Sequence, residues 1–272
     1  MMTDQPSLPL NDGRAIPQLG YGVYKVPAEE TAPLVSNAIT LGYRHVDTAT
    51  FYQNEAGVGE AVRASDQTIF VTTKLWNGDQ GYDNALRAFD ASFAALGLDW
   101  LDLYLIHWPV PRQDLYVETW KALIRLRDEG RVKSIGVSNF TMEHLERIIH
   151  DTGVVPAVNQ VELHPRFQQI ELRAFHDENK IVTTSWSPLG QGSVLSDPVI
   201  VRIAAKHGRS PAQVIIRWHI DNGLCVIPKS ANPQRQAENL DVFGFALDDE
   251  DLHAIAGLDT SDGRIGPDPD LL

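Results

Sequence analysis

The chain contains one cysteine, Cys225, so no intrachain disulfide can form, and such sparing use fits a reducing compartment. Cys225 lies in the apolar run LCVIP, where a small buried hydrophobe is expected rather than a nucleophile. No apolar run approaches the roughly 18 residues needed to span a bilayer. The opening MMTDQPSLPL has neither the basic start nor the apolar centre of a signal peptide. Lys and Arg number 23 against 36 Asp and Glu, a formal charge of −13 with no basic cluster to offset it, which argues against nucleic-acid and membrane partners. HExxH is absent and no convergent His, Asp or Glu set is evident, so no metal is expected. The dinucleotide fingerprint is missing too, because GYG in QLGYGVYKV has no third glycine in register, and a Rossmann domain is set aside. These absences lead us to expect a cytoplasmic protein, taken as a monomer, with neither nucleic-acid nor membrane partners.

A hydrophobic fraction of 43% and a charged fraction of 22% supply an ordinary globular core. SLPLNDGRAIPQLG places Asn-Asp-Gly between apolar stretches and predicts an N-terminal β-hairpin. Strand candidates follow in the order QLGYGVYKV, YRHVDTA, TIFVTTKLW, LDLYLIHW, RVKSIGVSN, AVNQVELH, IVTTSWSPL and LCVIPKS. Amphipathic stretches separate them. In YDNALRAFDASFAALG, Leu86, Phe89, Phe93 and Leu96 fall on one helical face, and LYVETWKALIRLRDEG stops at Gly130. PVIVRIAAKHG and DDEDLHAIAGLD are helical segments beyond the basic alternation, and the tail DGRIGPDPDLL should lie over one end of the molecule or be partly disordered. Apolar strands alternating with helices predict a parallel sheet covered by helices, and this many units predict closure. The expected fold is α/β, a (β/α)8 TIM barrel with an N-terminal β-hairpin and extra helices near the C-terminus, in a single domain over 1–272.

Reactive residues gather toward the C-terminal ends of these strands: Asp47, Lys74, His107, Ser138 with Asn139, Gln160, Trp186 and Lys229. Those ends form one rim in a barrel, where active sites lie. A single charge at a strand end is usually structural, but so many on one rim point to chemistry. Tyr52 follows Asp47 in a loop that can reach the mouth. A nearby Lys74 ammonium favours phenolate, and Asp47 on the adjacent strand keeps that lysine charged. His107 is placed to donate a hydrogen bond to a carbonyl oxygen.

The motifs HVDTA, VTTKLWN, LDLYLIHWP, SIGVSNF, VNQVELHP, TSWSPLGQG and IPKSANPQRQAENL together resemble the aldo-keto reductase family, in its order and over essentially the whole chain. LNDGRAIPQLGYGV, TGVVPAVNQ, SWSPLGQG and ENLDVFGF are most similar to its short bacterial 2,5-diketo-D-gluconate reductases.

The resemblance implies NADPH as cofactor and a catalytic tetrad of Asp47, Tyr52, Lys74 and His107. It implies that Ser138, Asn139 and Gln160 hold the carboxamide, with Trp186 stacked on the nicotinamide. Ser187, Leu189, Gln191 and Gly192 line the pyrophosphate path, and Gly22, Val23 and Tyr24 flank the cofactor. Lys229, Ser230, Asn232 and Arg235 match the 2′-phosphate site, with Glu238 and Asn239 facing adenine. In the implied reaction an aldehyde or ketone becomes an alcohol. Tyr52 donates the proton, its acidity raised by Lys74 and Asp47, while His107 orients the carbonyl and carries the proton at low pH. Tyr24, Trp76, His107 and Trp108 would line a comparatively open mouth, since the loop after Trp108 and the tail are short. Two alternatives stand beside this one: a catalytically weak NADPH-binding regulatory protein, and an aldolase forming a Schiff base at Lys74.

Overall fold

A computed structural model describes residues 5–272 of the chain. The first four residues, part of the stretch searched for a signal peptide, lie outside the described residues. β1 (Ser7–Pro9) and β2 (Ala15–Pro17) form the expected antiparallel hairpin, with Leu8 opposite Ile16. Gly13 takes φ 85° in its turn, a left-handed value that costs glycine nothing because it has no Cβ.

The eight strand candidates each contain one strand of a parallel sheet: β3 (Tyr21–Gly22), β4 (His45–Asp47), β5 (Phe70–Leu75), β6 (Leu101–Ile106), β7 (Val132–Ser138), β8 (Val158–Glu162), β9 (Val182–Trp186) and β10 (Cys225–Val226). Neighbours in sequence are neighbours in space. A parallel bridge between Leu19 and Val226 joins the last strand to the start of the first and closes the barrel. The strands are shorter than the segments that hold them, most of all at this seam, where Pro228 has no N–H to extend β10.

Among the described residues ten helices surround the barrel: α1 (Ala28–Leu41), α2 (Glu55–Arg63), α3 (Tyr82–Leu96), α4 (Tyr116–Asp128), α5 (Met142–Thr152), α6 (Ile170–Asn179), α7 (Pro198–His207), α8 (Pro211–Asp221), α9 (Pro233–Leu240) and α10 (Asp249–Ala256). α7 and α10 are the predicted additions. On α3 the buried line is Ala85, Phe89, Ser92 and Leu96, while Leu86 and Phe93 flank it half-buried, so the face is turned slightly from the expected one. α4 stops as predicted, with Gly130 at φ 73° and the Arg131 N–H donating to Leu126 O at 2.9 Å. No described helix is long and apolar enough to cross a membrane.

Strand alternation divides the apolar residues into two cores. Val46, Val71, Tyr104, Ile106, Ile135, Val137 and Val161 face outward and pack with the helices. Leu103, Leu105, Val158 and Cys225 pack with Leu10 and Ile16 of the hairpin, which therefore plugs the N-terminal end. Burial pushes the Cys225 thiol up to about 12, as suits a packing residue rather than a nucleophile. With one end of the barrel filled by apolar side chains, polar groups are left to the other.

Candidate active site

Asp47 closes β4, and Lys74 stands near the end of the adjacent β5. Lys74 is 0% exposed, and its Nζ donates to Asp47 Oδ1 at 2.6 Å and to Thr48 O at 2.9 Å. The other Asp47 oxygen accepts from Gln160 Nε2 at 2.9 Å, so one carboxylate ties β4 to both β5 and β8. Tyr52 ends the 3-10 turn Thr50–Tyr52. Thr50 Oγ1 donates to Lys74 O at 3.1 Å, which fastens that turn to β5. The Lys74 Nζ lies 5.3 Å from the centre of the Tyr52 ring, and the His107 ring meets Tyr52 edge-on at 5.8 Å. Asp47, Tyr52, Lys74 and His107 are thus brought together on one rim.

The electrostatics differ from the expectation on two points. Burial pushes the Tyr52 phenol well above its ordinary value, with Asp47 and then Tyr24 adding to the shift. The expected acidifying pull of Lys74 does not outweigh these, because its ammonium is already paired with the carboxylate that repels phenolate. Tyr52 therefore keeps its proton at neutral pH, as a general acid must. His107 lies well below 6.5, first through burial and then through the Lys74 charge, so it is a neutral imidazole and not the expected carrier of a proton at low pH. His107 Nδ1 is enclosed with no hydrogen-bond partner. A buried acceptor tolerates that better than a buried N–H, so the proton belongs on Nε2.

The Ser138 hydroxyl donates to Gln160 O at 2.7 Å, and Asn139 Nδ2 donates to His107 O at 2.9 Å. Trp186 Nε1 donates to Asn139 Oδ1 at 2.7 Å, which fixes the plane of a half-buried indole. Asn139 at φ 63°, Ser187 at φ 48° and Gln191 at φ 52° are non-glycine residues held in the left-handed region, a strain that clusters at functional loops. Gly190 and Gly192 share that conformation at no such cost; Leu189 before them is half-buried, while Gln191 between them is exposed. The curled loop and fixed indole fit a dinucleotide laid across the rim.

Lys229, Asn232, Arg235 and Glu238 are exposed around the start of α9, where Asn232 Oδ1 caps the helix by accepting from Arg235 N at 3.1 Å. Two cations at a helix N-terminus suit a phosphate. Ser230 is half-buried beside them, but Asn239 is buried and presents no open face. Gly22 lies against the chain leaving β10, where an added Cβ would meet Ile227 Cγ2 at 3.3 Å. Val23 is fully buried and offers only its backbone, whereas Tyr24 is 47% exposed with its ring 5.0 Å from that of Tyr52.

Around the mouth, Trp76 meets His107 edge-on at 5.2 Å and stacks on Phe51 at 3.9 Å. Phe51 was missed, although it precedes Tyr52 in the same turn. Trp108 is buried and meets the edge of Trp186 at 6.4 Å, so it backs the indole more than it walls the mouth. The tail lies over one end of the barrel, the first of the two expectations for it, and despite its shortness it narrows the mouth that was expected to be open. It crosses this end of the barrel, and the N–H groups of Ile265 and Gly266 donate to the Glu162 carboxylate at 2.6 and 2.7 Å.

Residues 18–260 match the Aldo/keto reductase family. An aldo-keto reductase of Mycolicibacterium smegmatis is 57% identical over 267 residues, 97% of each chain. The methylglyoxal reductase DkgA of Salmonella typhimurium is 51% identical over 274 residues, 99% of this chain and 98% of its own. The crystal structure of a Gox0644 mutant in complex with NADPH aligns at a TM-score of 0.97 and 59% identity over 98% of both chains. A closed barrel with its polar rim at one end and a match that runs nearly from end to end have one explanation: the chain belongs to the aldo/keto reductase family of NADP-dependent oxidoreductases.

Proposed function

We propose that the protein reduces aldehydes and ketones with NADPH, acting as a single barrel domain, and that Tyr52 is the general acid. Small dicarbonyls such as methylglyoxal, or keto-sugar acids such as 2,5-diketo-D-gluconate, are the substrates this reading favours. The observation that carries it is the buried Lys74–Asp47 pair beside the Tyr52 ring, with His107 facing the same phenol, where burial pushes the phenol up and the imidazole down. The bound nicotinamide supplies the hydride. Tyr52 gives its proton to the carbonyl oxygen, and His107 Nε2–H donates to the same oxygen, so two donors meet the charge that develops there. Lys74, held charged by Asp47, stabilises the phenolate left behind. Trp186 packs against the nicotinamide, while Ser138, Asn139 and Gln160 fix its carboxamide.

Lys229 and Arg235 favour a 2′-phosphate over a bare hydroxyl. Tyr24, Phe51 and Trp76 enclose the substrate. The single buried cysteine and the excess of negative charge support a monomeric cytoplasmic enzyme. An aldolase using Lys74 is disfavoured, because its Nζ is enclosed and bound as a cation by Asp47 and Thr48. Tyr52→Phe is expected to lower kcat about 10²- to 10⁴-fold with methylglyoxal while leaving NADPH binding intact. Near wild-type turnover in that variant sinks the assignment.

A further inference from the structure

Glu162 is a carboxylate 1% exposed at the end of β8, next to Trp186 in strand register, and the proposed reaction leaves it without a task. Such a group is costly to bury unless both oxygens are satisfied. Here Ile265 N–H donates to Oε1 at 2.6 Å and Gly266 N–H donates to Oε2 at 2.7 Å, with His164 Nε2 3.2 Å from Oε1. Burial raises its pKa, but these three contacts outweigh it, and Glu162 is held below the ordinary carboxylate range. The tail is closely packed where it sits. An added Cβ on Gly266 would lie 2.5 Å from Trp186 Cη2, and one on Gly263 only 1.8 Å from Arg166 O. The Arg264 guanidinium covers the Phe167 ring at 4.7 Å, and beyond the clamp Asp270 reaches His144 at 3.5 Å. A strap therefore crosses the rim, pressed on the indole edge at Gly266, with Ile265 beside it 41% exposed.

We propose that Glu162 is a positioning residue that clamps the strap 263–266 against Trp186, and that Ile265, held by this clamp, shapes the substrate site. This inference rests on the reading of Trp186 as the nicotinamide platform. Cofactor and strap then touch the same indole, so binding on one side stabilises the other.

The bond after Arg264 is a tryptic site within the strap, and cutting there reports how often the clamp opens, whether or not any carbonyl is reduced. Glu162→Gln replaces one acceptor oxygen by a donor that faces an amide N–H. Cleavage after Arg264, followed by mass spectrometry, is expected to accelerate about 10- to 100-fold, in line with the loss of charge-assisted hydrogen bonds. Saturating NADPH is expected to slow the same cut in the wild type. In the reductase assay, Glu162→Gln should raise substrate KM about tenfold with little change in kcat, and a chain ending at Asp262 should show the same rise, with no further effect on adding Glu162→Gln. Should Glu162→Gln not fold, Gly266→Ala replaces it, with the same shift in KM expected from its clash with the indole. Unchanged cleavage in Glu162→Gln, or no protection by NADPH, overturns the clamp. Additive effects of truncation and Glu162→Gln overturn its action through the strap. If no carbonyl is turned over while cleavage behaves as expected, the function fails and the clamp stands.

Discussion

Asp47→Asn removes the charge of the central carboxylate and nearly keeps its shape. In the wild type, fully buried Lys74 donates to Asp47 Oδ1 at 2.6 Å and to Thr48 O at 2.9 Å. Burial lowers the lysine pKa from 10.5, and Asp47 is the strongest influence opposing that fall. An asparagine still offers one oxygen to Lys74 or to Gln160, but no counter-charge. Breaking a buried ion pair from one side costs about 3–5 kcal/mol. The pH dependence carries the sharper test. A lysine whose folded pKa lies below its unfolded value binds fewer protons when folded, so stability rises with pH through that window. Asp47→Asn lowers the folded value further. The deficit against wild type should therefore be largest near about pH 7 and shrink by about 1.4 kcal/mol per pH unit between the variant's folded lysine pKa and that of the wild type. Urea unfolding of both proteins from about pH 7 to about pH 9.5 measures the difference directly. A deficit that stays constant over that range would show that lost packing, and not an orphaned charge, is what the variant suffers.

Acid should unfold the protein steeply. Burial, the largest cause in each, pushes His45 down to about 4 and His176 and His219 to about 3, so below 6.5 the unfolded chain takes up protons that the folded one refuses. Each of them then removes about 1.4 kcal/mol per pH unit down to its folded value, and His176→Gln should flatten the urea stability profile between about pH 6 and about pH 4 by that slope. At the proposed phosphate end, Arg235→Ala and Lys229→Met are each expected to raise KM for NADPH about tenfold or more while leaving NADH unaffected, and equal effects on both cofactors would remove the 2′-phosphate assignment. Gly59→Ala puts a Cβ 1.8 Å from Leu96 O, where α2 crosses the end of α3. A loss of about 3 kcal/mol is expected in thermal melts, whereas Gly78→Ala, with nothing within 4 Å of its new Cβ, should cost almost nothing.

The barrel was legible because short apolar segments alternated with helical stripes, and the order of the strands follows that of the chain. Strand ends were not, since ladder pairing, and not composition, decides where β3 and β10 stop. Asp47, Lys74 and His107 were found from their position at strand ends, a local signal. Tyr52's raised pKa could not be found that way: it depends on burial and on a carboxylate that has already claimed the lysine. Glu162 was quoted within VNQVELHP yet given no task, because its partners Ile265 and Gly266 lie 103 and 104 residues away. Phe51 lacked any signal beyond adjacency, as an aromatic in a loop packs more often than it binds.

Alternation along β5 also explains why the site is rigid. Lys74 faces into the barrel, and Thr73 before it faces the helices, where its hydroxyl donates to buried Glu55 of α2 at 2.5 Å. Thr50 spends its hydroxyl hydrogen on Lys74 O, so its 2.9 Å contact with Ser92 of α3 must have Ser92 as donor. The turn that carries Tyr52 is thus fastened through Thr50 to the backbone of its lysine and through Ser92 to a helix behind the sheet. Inward side chains of β5 set the charge near the phenol, and outward ones anchor the helices that hold it in place. A shift of α3 against the barrel would move Tyr52 without touching any group in the mouth, so packing on the outside of the strands bears on proton transfer as much as on stability.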